Sequence, residues 1–150
     1  MIEADIRRWL KALYANDPTT IVQPIESHAT LGVPDVFLCT RDADAWIELK
    51  IAPYTPLQRG YVQPRWRPKQ LEWLHKYDKA GGVALLFVGY EIDDGTQVLT
   101  AFQGSNIRRE YTLREFLSLS SMHCAMRDVT RGIIGSLLTN RRRYDLQDDH

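Results

Sequence analysis

The sequence predicts an α/β domain with a single mixed β-sheet flanked by helices, and three observations carry that expectation. Apolar residues recur at helical spacing near the start and then give way to short strand-like runs. The elements follow in the order helix, strands, helix, strands, helices, and the helix at 68–80 can cross over between two parallel strands. A chain of 150 residues, 44% hydrophobic and 25% charged, is long and apolar enough for one ordinary domain with a real core.

In chain order, residues 2–15 read as a helix because Ile2, Ile6, Leu10 and Leu13 share a face, and Asn16-Asp17-Pro18 stops it. Residues 20–25 form a first strand. It leads through Glu26-Ser27-His28 to a turn at Gly32, and a hairpin spans 33–51. Pro68 opens a helix that reaches Ala80, where Gly81-Gly82 ends it. The apolar run 83–90 is a buried strand, Asp94-Gly95 is a tight turn, and 97–102 pairs back. Thr112-Leu113-Arg114-Glu115 is a capping box for a short helix. A last helix is expected over 122–142. The nuclear part of the domain is thus expected over 1–104, with a helical extension over 111–143 and no linker that would split the chain.

The hairpin holds the chemistry. It reads Gly32-Val33-Pro34-Asp35 and, twelve residues on, Glu48-Leu49-Lys50. Side chains two apart in a strand share a face, so Glu48 and Lys50 point one way while Ile47, Leu49 and Ile51 point the other. With the turn centred on Asp42–Ala43, Asp35 stands opposite Lys50 and diagonal to Glu48. Two adjacent carboxylates repel, and they either hold a proton or recruit a cation. A hard divalent ion is bound through one or two carboxylates and fills its other positions with water or phosphate oxygens. A neighbouring lysine can orient a water and stabilise phosphate charge. The plain alternative is a surface hairpin with a salt-bridged E-x-K pattern, which alone is common. The G-x-P-D strand before it and the apolar runs beside it make the pattern more specific.

On Gly32, Pro34, Asp35, Glu48 and Lys50, the chain resembles the PD-(D/E)XK nuclease superfamily. Within it, the chain is similar to the virus-type replication-repair nucleases and the Holliday-junction-resolvase-like proteins common in phages. The run from Arg67 to Leu74 and the Ala80-Gly81-Gly82 before an apolar strand extend the likeness, which covers roughly residues 20–90. The resemblance implies a restriction-endonuclease-like core and hydrolysis of phosphodiester bonds in DNA, including branched or replication and repair intermediates. It implies Mg2+ or Mn2+ held by Asp35, Glu48 and the Leu49 carbonyl, with Lys50 as a catalytic residue and 5′-phosphate and 3′-hydroxyl products. Gln70 matches the glutamine that family members often carry at the start of the helix after E-x-K, and it shares a face with Leu74 and Tyr77. The third acid is Glu26 or Glu3. Glu26 is preferred here because Glu3 sits in the first, frayable turn of a helix; read plainly, Glu3 is a helix N-terminal acid facing the macrodipole.

Net charge is zero, so nucleic-acid binding is not signalled by the total. The distribution is more telling. Residues 51–70 contain no acid but carry Arg59, Arg65, Arg67 and Lys69, together with Tyr54, Tyr61, Trp66 and four prolines. Read as a long functional loop, this stretch can contact phosphates through its cations and bases through its rings. Read plainly, it is a solvated connection with Trp66 against the core. His28 could assist a water or phosphate, His75 and His123 read as structural, and His150 ends an Asp-rich tail.

Cys39 and Cys124 lack C-x-x-C spacing, which suits a reducing compartment and speaks against a zinc or disulfide framework. With no membrane-length apolar run and a polar N-terminal helix, the expected location is the cytoplasm, that of the host for a phage-encoded protein. Met122, Met126, Val129, Ile133 and Leu137 form a wide helical stripe that could simply cap the sheet or could mediate a homodimer, the second being expected, with Arg141-Arg142-Arg143 extending a basic surface. Two other function classes compete with cleavage. One is a module of the same fold that binds DNA or a protein without cutting; the other is a structural protein in which the hairpin is incidental.

Overall fold

The computed structural model describes residues 1–26 and 31–148, beyond residue 139 as backbone only. The first helix, α1 (Glu3–Leu13), turns Ile6 and Leu10 wholly into the core, and the Asp5 carboxylate accepts the Ile2 amide at its start (2.8 Å). Three antiparallel strands follow: β1 (Ile21–Pro24), β2 (Val36–Cys39) and β3 (Asp44–Ile51).

The β2–β3 register departs from expectation. Val36 pairs with Ile47 and Cys39 with Asp44, so continuing the ladder sets Asp35 opposite Glu48, not Lys50. The cause is Thr40. Its hydroxyl donates to the Ala43 carbonyl (2.7 Å) and accepts the Ala43 amide (3.1 Å), which closes the turn around Arg41–Asp42 rather than Asp42–Ala43.

After β3 the expected long loop is partly ordered. It holds a single-turn helix, α2 (Pro56–Arg59), and β4 (Tyr61–Val62). Then α3 (Gln70–Lys79) crosses over to β5 (Val83–Glu91), which lies parallel to β3, and β6 (Gln97–Gln103) returns antiparallel. Helix α3 starts two residues later than Pro68. β7 (Tyr111–Thr112) pairs with β4 in a small ribbon, and α4 (Leu113–Leu119) begins on the expected capping box, with the Thr112 hydroxyl accepting from the Glu115 amide.

The expected helix over 122–142 is not one element. β8 (Met122–Ala125) pairs with β6 at the sheet edge, a short 3-10 turn covers Met126–Asp128, and α5 spans Arg131–Asp148. The Thr130 hydroxyl accepts the Ile133 amide (3.2 Å), an N-cap that starts α5 there. Met122, Met126, Val129 and Leu137 are buried in the core, as are Ile134 and Leu138, and Ile133 packs against them. The stripe that suggested a homodimer is therefore interior, and the segment after residue 110 is not a purely helical extension.

The main sheet runs β1-β2-β3-β5-β6-β8. One face, with Val36, Ile47, Leu49, Leu85 and Phe87, packs on α1 and α5. The other, with Ala84, Leu86, Val88 and Phe102, packs on α3, α4 and the β4–β7 ribbon. Burial on both faces explains why β5 is a continuous apolar run. A chain of aromatic contacts, Phe37–Trp46–Trp73–Tyr77, seats α3 on the β2–β3 hairpin. Among the described residues no helix is long and apolar enough to cross a membrane.

Gly32 buttresses the start of α3. Its φ is +87°, and a Cβ there would lie 2.5 Å from the Lys69 carbonyl oxygen, where Lys69 itself holds a left-handed φ of 73°. Gly32→Ala is expected to cost about 2 kcal/mol from backbone strain and crowding, a melting temperature drop of roughly 4–8 °C. Thermal denaturation measures it, and an unchanged midpoint would mean that the turn yields freely.

Candidate active site

Sequence and register combine at the end of the β2–β3 pairing. Extended by two residues, the ladder would set Pro34 opposite Leu49. Proline has no amide hydrogen, so it cannot satisfy the Leu49 carbonyl. The Asp35 carboxylate instead accepts the Leu49 amide through Oδ2 (2.9 Å). In antiparallel pairing a residue's N–H and C=O face the same neighbour. The Leu49 carbonyl thus faces the strand edge where Asp35 ends the ladder.

Glu48 is 1% exposed, and its Oε2 accepts from no donor among the described residues. Burial, then the Asp35 charge and a side-chain hydrogen bond shared with Asp35, push its carboxyl up to about 9, against the opposing pull of Lys50. At neutral pH the carboxylate pair therefore shares a proton. Lys50 is 4% exposed. Its ammonium donates to the Arg65 carbonyl (2.6 Å) and to Gln70 Oε1 (2.8 Å), lies 3.6 Å from Glu48 Oε1, and sits 5.3 Å from the centre of the Trp66 ring. Gln70, the first residue of α3, closes the network. Its Nε2 donates to Glu48 Oε1 (3.0 Å), and its Oε1 also accepts the Arg67 amide (2.8 Å). These partners dictate which way the Gln70 amide faces.

Above this network lies a cavity of about 680 Å³. Asp35, Glu48, Lys50 and Gln70 line it, and so do Arg65, Trp66 and Arg67. Trp66 is half-buried and its indole nitrogen donates to the Arg109 carbonyl (3.0 Å), so the ring packs on the core while still facing the site. Arg59 and Lys69 do not line this cavity. Arg59 stacks on Tyr54, and the exposed Lys69 ion-pairs with Glu72 (3.4 Å). His28 lies outside the described residues.

Both candidate third acids, Glu3 and Glu26, line the cavity. Glu26 is exposed. Glu3 is partly buried, and burial followed by the Asp35 charge raises its pKa, while Lys50, Arg67 and Arg7 oppose. Its charge also acts on Glu48. The worry that its turn frays is met by the Asp5 cap and by Ile6 packed in the core. Arg7, which also lines the cavity, escaped the sequence reading; the signal was its spacing of four from Glu3, which puts both on one helix face.

Among the described residues no three acidic, histidine or cysteine side chains converge closely enough to hold a metal as a set. The donors nonetheless fit a hard divalent cation. Glu48 offers a buried carboxylate oxygen that accepts from no donor among the described residues, Asp35 lies beside it, and the Leu49 carbonyl faces the same edge.

No protein-family model and no curated protein matches the chain. Among solved structures it is similar to the 1.6 Å resolution structure of Archaeoglobus fulgidus Hjc, a Holliday junction resolvase from an archaeal hyperthermophile. Identity is 16%, the match covers 79% of this chain and 88% of that one, and the TM-score is 0.49.

Proposed function

We propose that this protein is a divalent-metal-dependent nuclease that hydrolyses phosphodiester bonds in DNA, with branched or repair intermediates among its substrates. The observation that carries the reading is the buried Glu48 Oε2, which accepts from no donor among the described residues, beside Asp35 on the floor of a cavity that also presents Lys50 and three arginines. Asp35, Glu48 and the Leu49 carbonyl would hold Mg2+ or Mn2+, and Glu3 is the better-placed third acid because its charge reaches both carboxylates. The chemistry such an ion supplies is polarisation of the scissile phosphate and acidification of a water.

The chain's own groups do the rest. Lys50, held by Gln70 and the Arg65 carbonyl, orients the attacking water and stabilises charge on the phosphate oxygens. The water oxygen bonds to phosphorus and releases a proton to solvent, the bond to the 3′-oxygen breaks, and that oxygen takes up a proton from solvent, leaving 5′-phosphate and 3′-hydroxyl ends. Arg65 and Arg67 hold the flanking phosphates, and the Trp66 ring lies against the Lys50 ammonium.

Nicking of supercoiled plasmid and of a branched DNA, with Mg2+ or with chelator, tests the reading. The parent protein is expected to cut only with metal, and Asp35→Asn is expected not to cut. DNA binding without cleavage at any metal would point to a binding module instead. Replacing Arg65 and Arg67 by Ala is expected to weaken DNA binding and reduce the salt slope by roughly one unit per lost contact. Titrations of affinity against salt measure it, and a parental slope would exclude both arginines from the phosphates.

A further inference from the structure

Three of the exposed large hydrophobic side chains cluster between residues 54 and 61: Tyr54 (55% exposed), Leu57 (72%) and Tyr61 (44%). Between the two rings stands Arg59, its guanidinium carbon 4.2 Å from the centre of Tyr54 and 5.7 Å from that of Tyr61. The left-handed Gly60 (φ +78°) turns the chain there, and the β4–β7 pairing, with Val62 buried, anchors the segment. The rings are therefore presented by an ordered framework.

This platform is joined to the candidate active site. The carboxylate cavity shares Glu3, Arg7 and Arg65 with a neighbouring cavity of about 700 Å³, which Ile2 and Pro53 line with apolar surface. That cavity in turn shares Pro53 and Gln63 with a recess of about 110 Å³ bounded by Tyr54, Arg59 and Tyr61. The three recesses are thus neighbours through shared residues, from the acids past arginines and apolar side chains to the tyrosine and guanidinium groups. No acid occurs between residues 51 and 69, and the Glu110 carboxylate accepts from Gln63 Nε2 (2.9 Å).

Such a lining suits a polyanion with free aromatic faces. Bases inside a duplex are already stacked on one another and must be unstacked, at a cost of about a few kcal/mol per step, before they meet a protein ring, whereas unpaired bases stack freely, whatever their sequence. We propose that the Tyr54–Arg59–Tyr61 platform is a stacking subsite for unpaired nucleotides, so that the preferred substrate carries a single-stranded arm leading from the carboxylate cavity. The proposal rests on the nuclease reading above.

The test is fluorescence anisotropy with Ca2+ in place of Mg2+, using a blunt duplex and the same duplex with a single-stranded arm. The parent is expected to prefer the armed DNA. Tyr54→Ala/Tyr61→Ala, checked by circular dichroism, is expected to reduce the ratio of armed to blunt affinity on the order of tenfold. Arg59→Glu, a fully surface change, is expected to lower the same ratio and so covers the case in which the double variant misfolds. A parent without arm preference, or variants with the parental ratio, overturn the subsite. If those same proteins still nick plasmid with Mg2+, the nuclease reading stands; if none binds or cuts any DNA, that reading falls as well. A parental ratio accompanied by a changed mass in light scattering would assign the patch to a protein partner and overturn the proposal.

Discussion

Glu48→Gln is expected to abolish Mn2+ binding and cleavage while making the metal-free protein more stable at alkaline pH. The variant keeps the shape of the side chain, and its amide oxygen can still accept from Gln70 Nε2, the 3.0 Å bond of the parent. It removes the carboxylate that burial and Asp35 push up to about 9. The sign follows from proton linkage. Between the ordinary glutamate pKa of 4.5 and about 9, the folded parent holds a proton that the unfolded chain has lost. Folding stability therefore falls as pH rises across that window. The variant lacks this loss, so in chelator its melting temperature should match the parent's near pH 5 and exceed it by roughly 6–12 °C near pH 9, given about 3 kcal/mol at this chain size. Differential scanning calorimetry across the window reads the gap. A gap independent of pH would mean that Glu48 carries no raised pKa. In the parent, metal must displace the proton, so Mn2+ affinity should rise with pH, and calorimetry in buffers of different ionisation enthalpy should register proton release.

Lys50→Ala is expected to lower turnover by about two orders of magnitude, the usual loss for one positioned polar or proton-transfer group. Lys50 lies beneath the cavity rather than on its rim, at 4% exposure, so affinity for DNA in Ca2+ should change little. The fall would thus appear in kcat and not in KM. The ammonium is held by two oxygens, the Arg65 carbonyl and Gln70 Oε1. Gln70→Ala should accordingly produce a smaller fall of the same kind, because Lys50 remains but is oriented by the Arg65 carbonyl alone. Single-turnover kinetics on a nicked substrate measure both. Parental turnover in Lys50→Ala would remove the residue from the chemistry.

The residues that converge were legible in the sequence because period-2 alternation fixes which side chains share a strand face. Glu48 and Lys50 needed no tertiary knowledge to be placed together. The inward position of Gln70 was likewise readable from its helical spacing to Leu74, and Gln70 and Leu74 are both buried. The strand β5 announced itself as a continuous apolar run, and the Thr112 capping box as a helix start. Each of these signals is local and repeats at a fixed period.

What needed tertiary structure was long-range or depended on competition between local options. The β2–β3 register turned on which polar residue closed the turn; Thr40 won, and Asp35 moved from Lys50 to Glu48 as its opposite number. Periodic apolar residues from 122 to 137 suit a helix, but the open edge of β6 took Met122–Ala125 as a strand, and the Thr130 cap began the helix afterwards. A wide stripe then became core instead of an interface. The meeting of Glu3 and Arg7 with the hairpin depends on α1 docking against the sheet, a contact between segments more than thirty residues apart that no spacing rule encodes. By itself the sequence determined the chemical inventory of the site and the face on which each member stands, since both follow from side-chain identity and backbone period. Only the tertiary structure decided which carboxylate faces which, how deeply Glu48 is buried and hence its proton affinity, because desolvation is a property of everything packed around a group rather than of its neighbours in the chain.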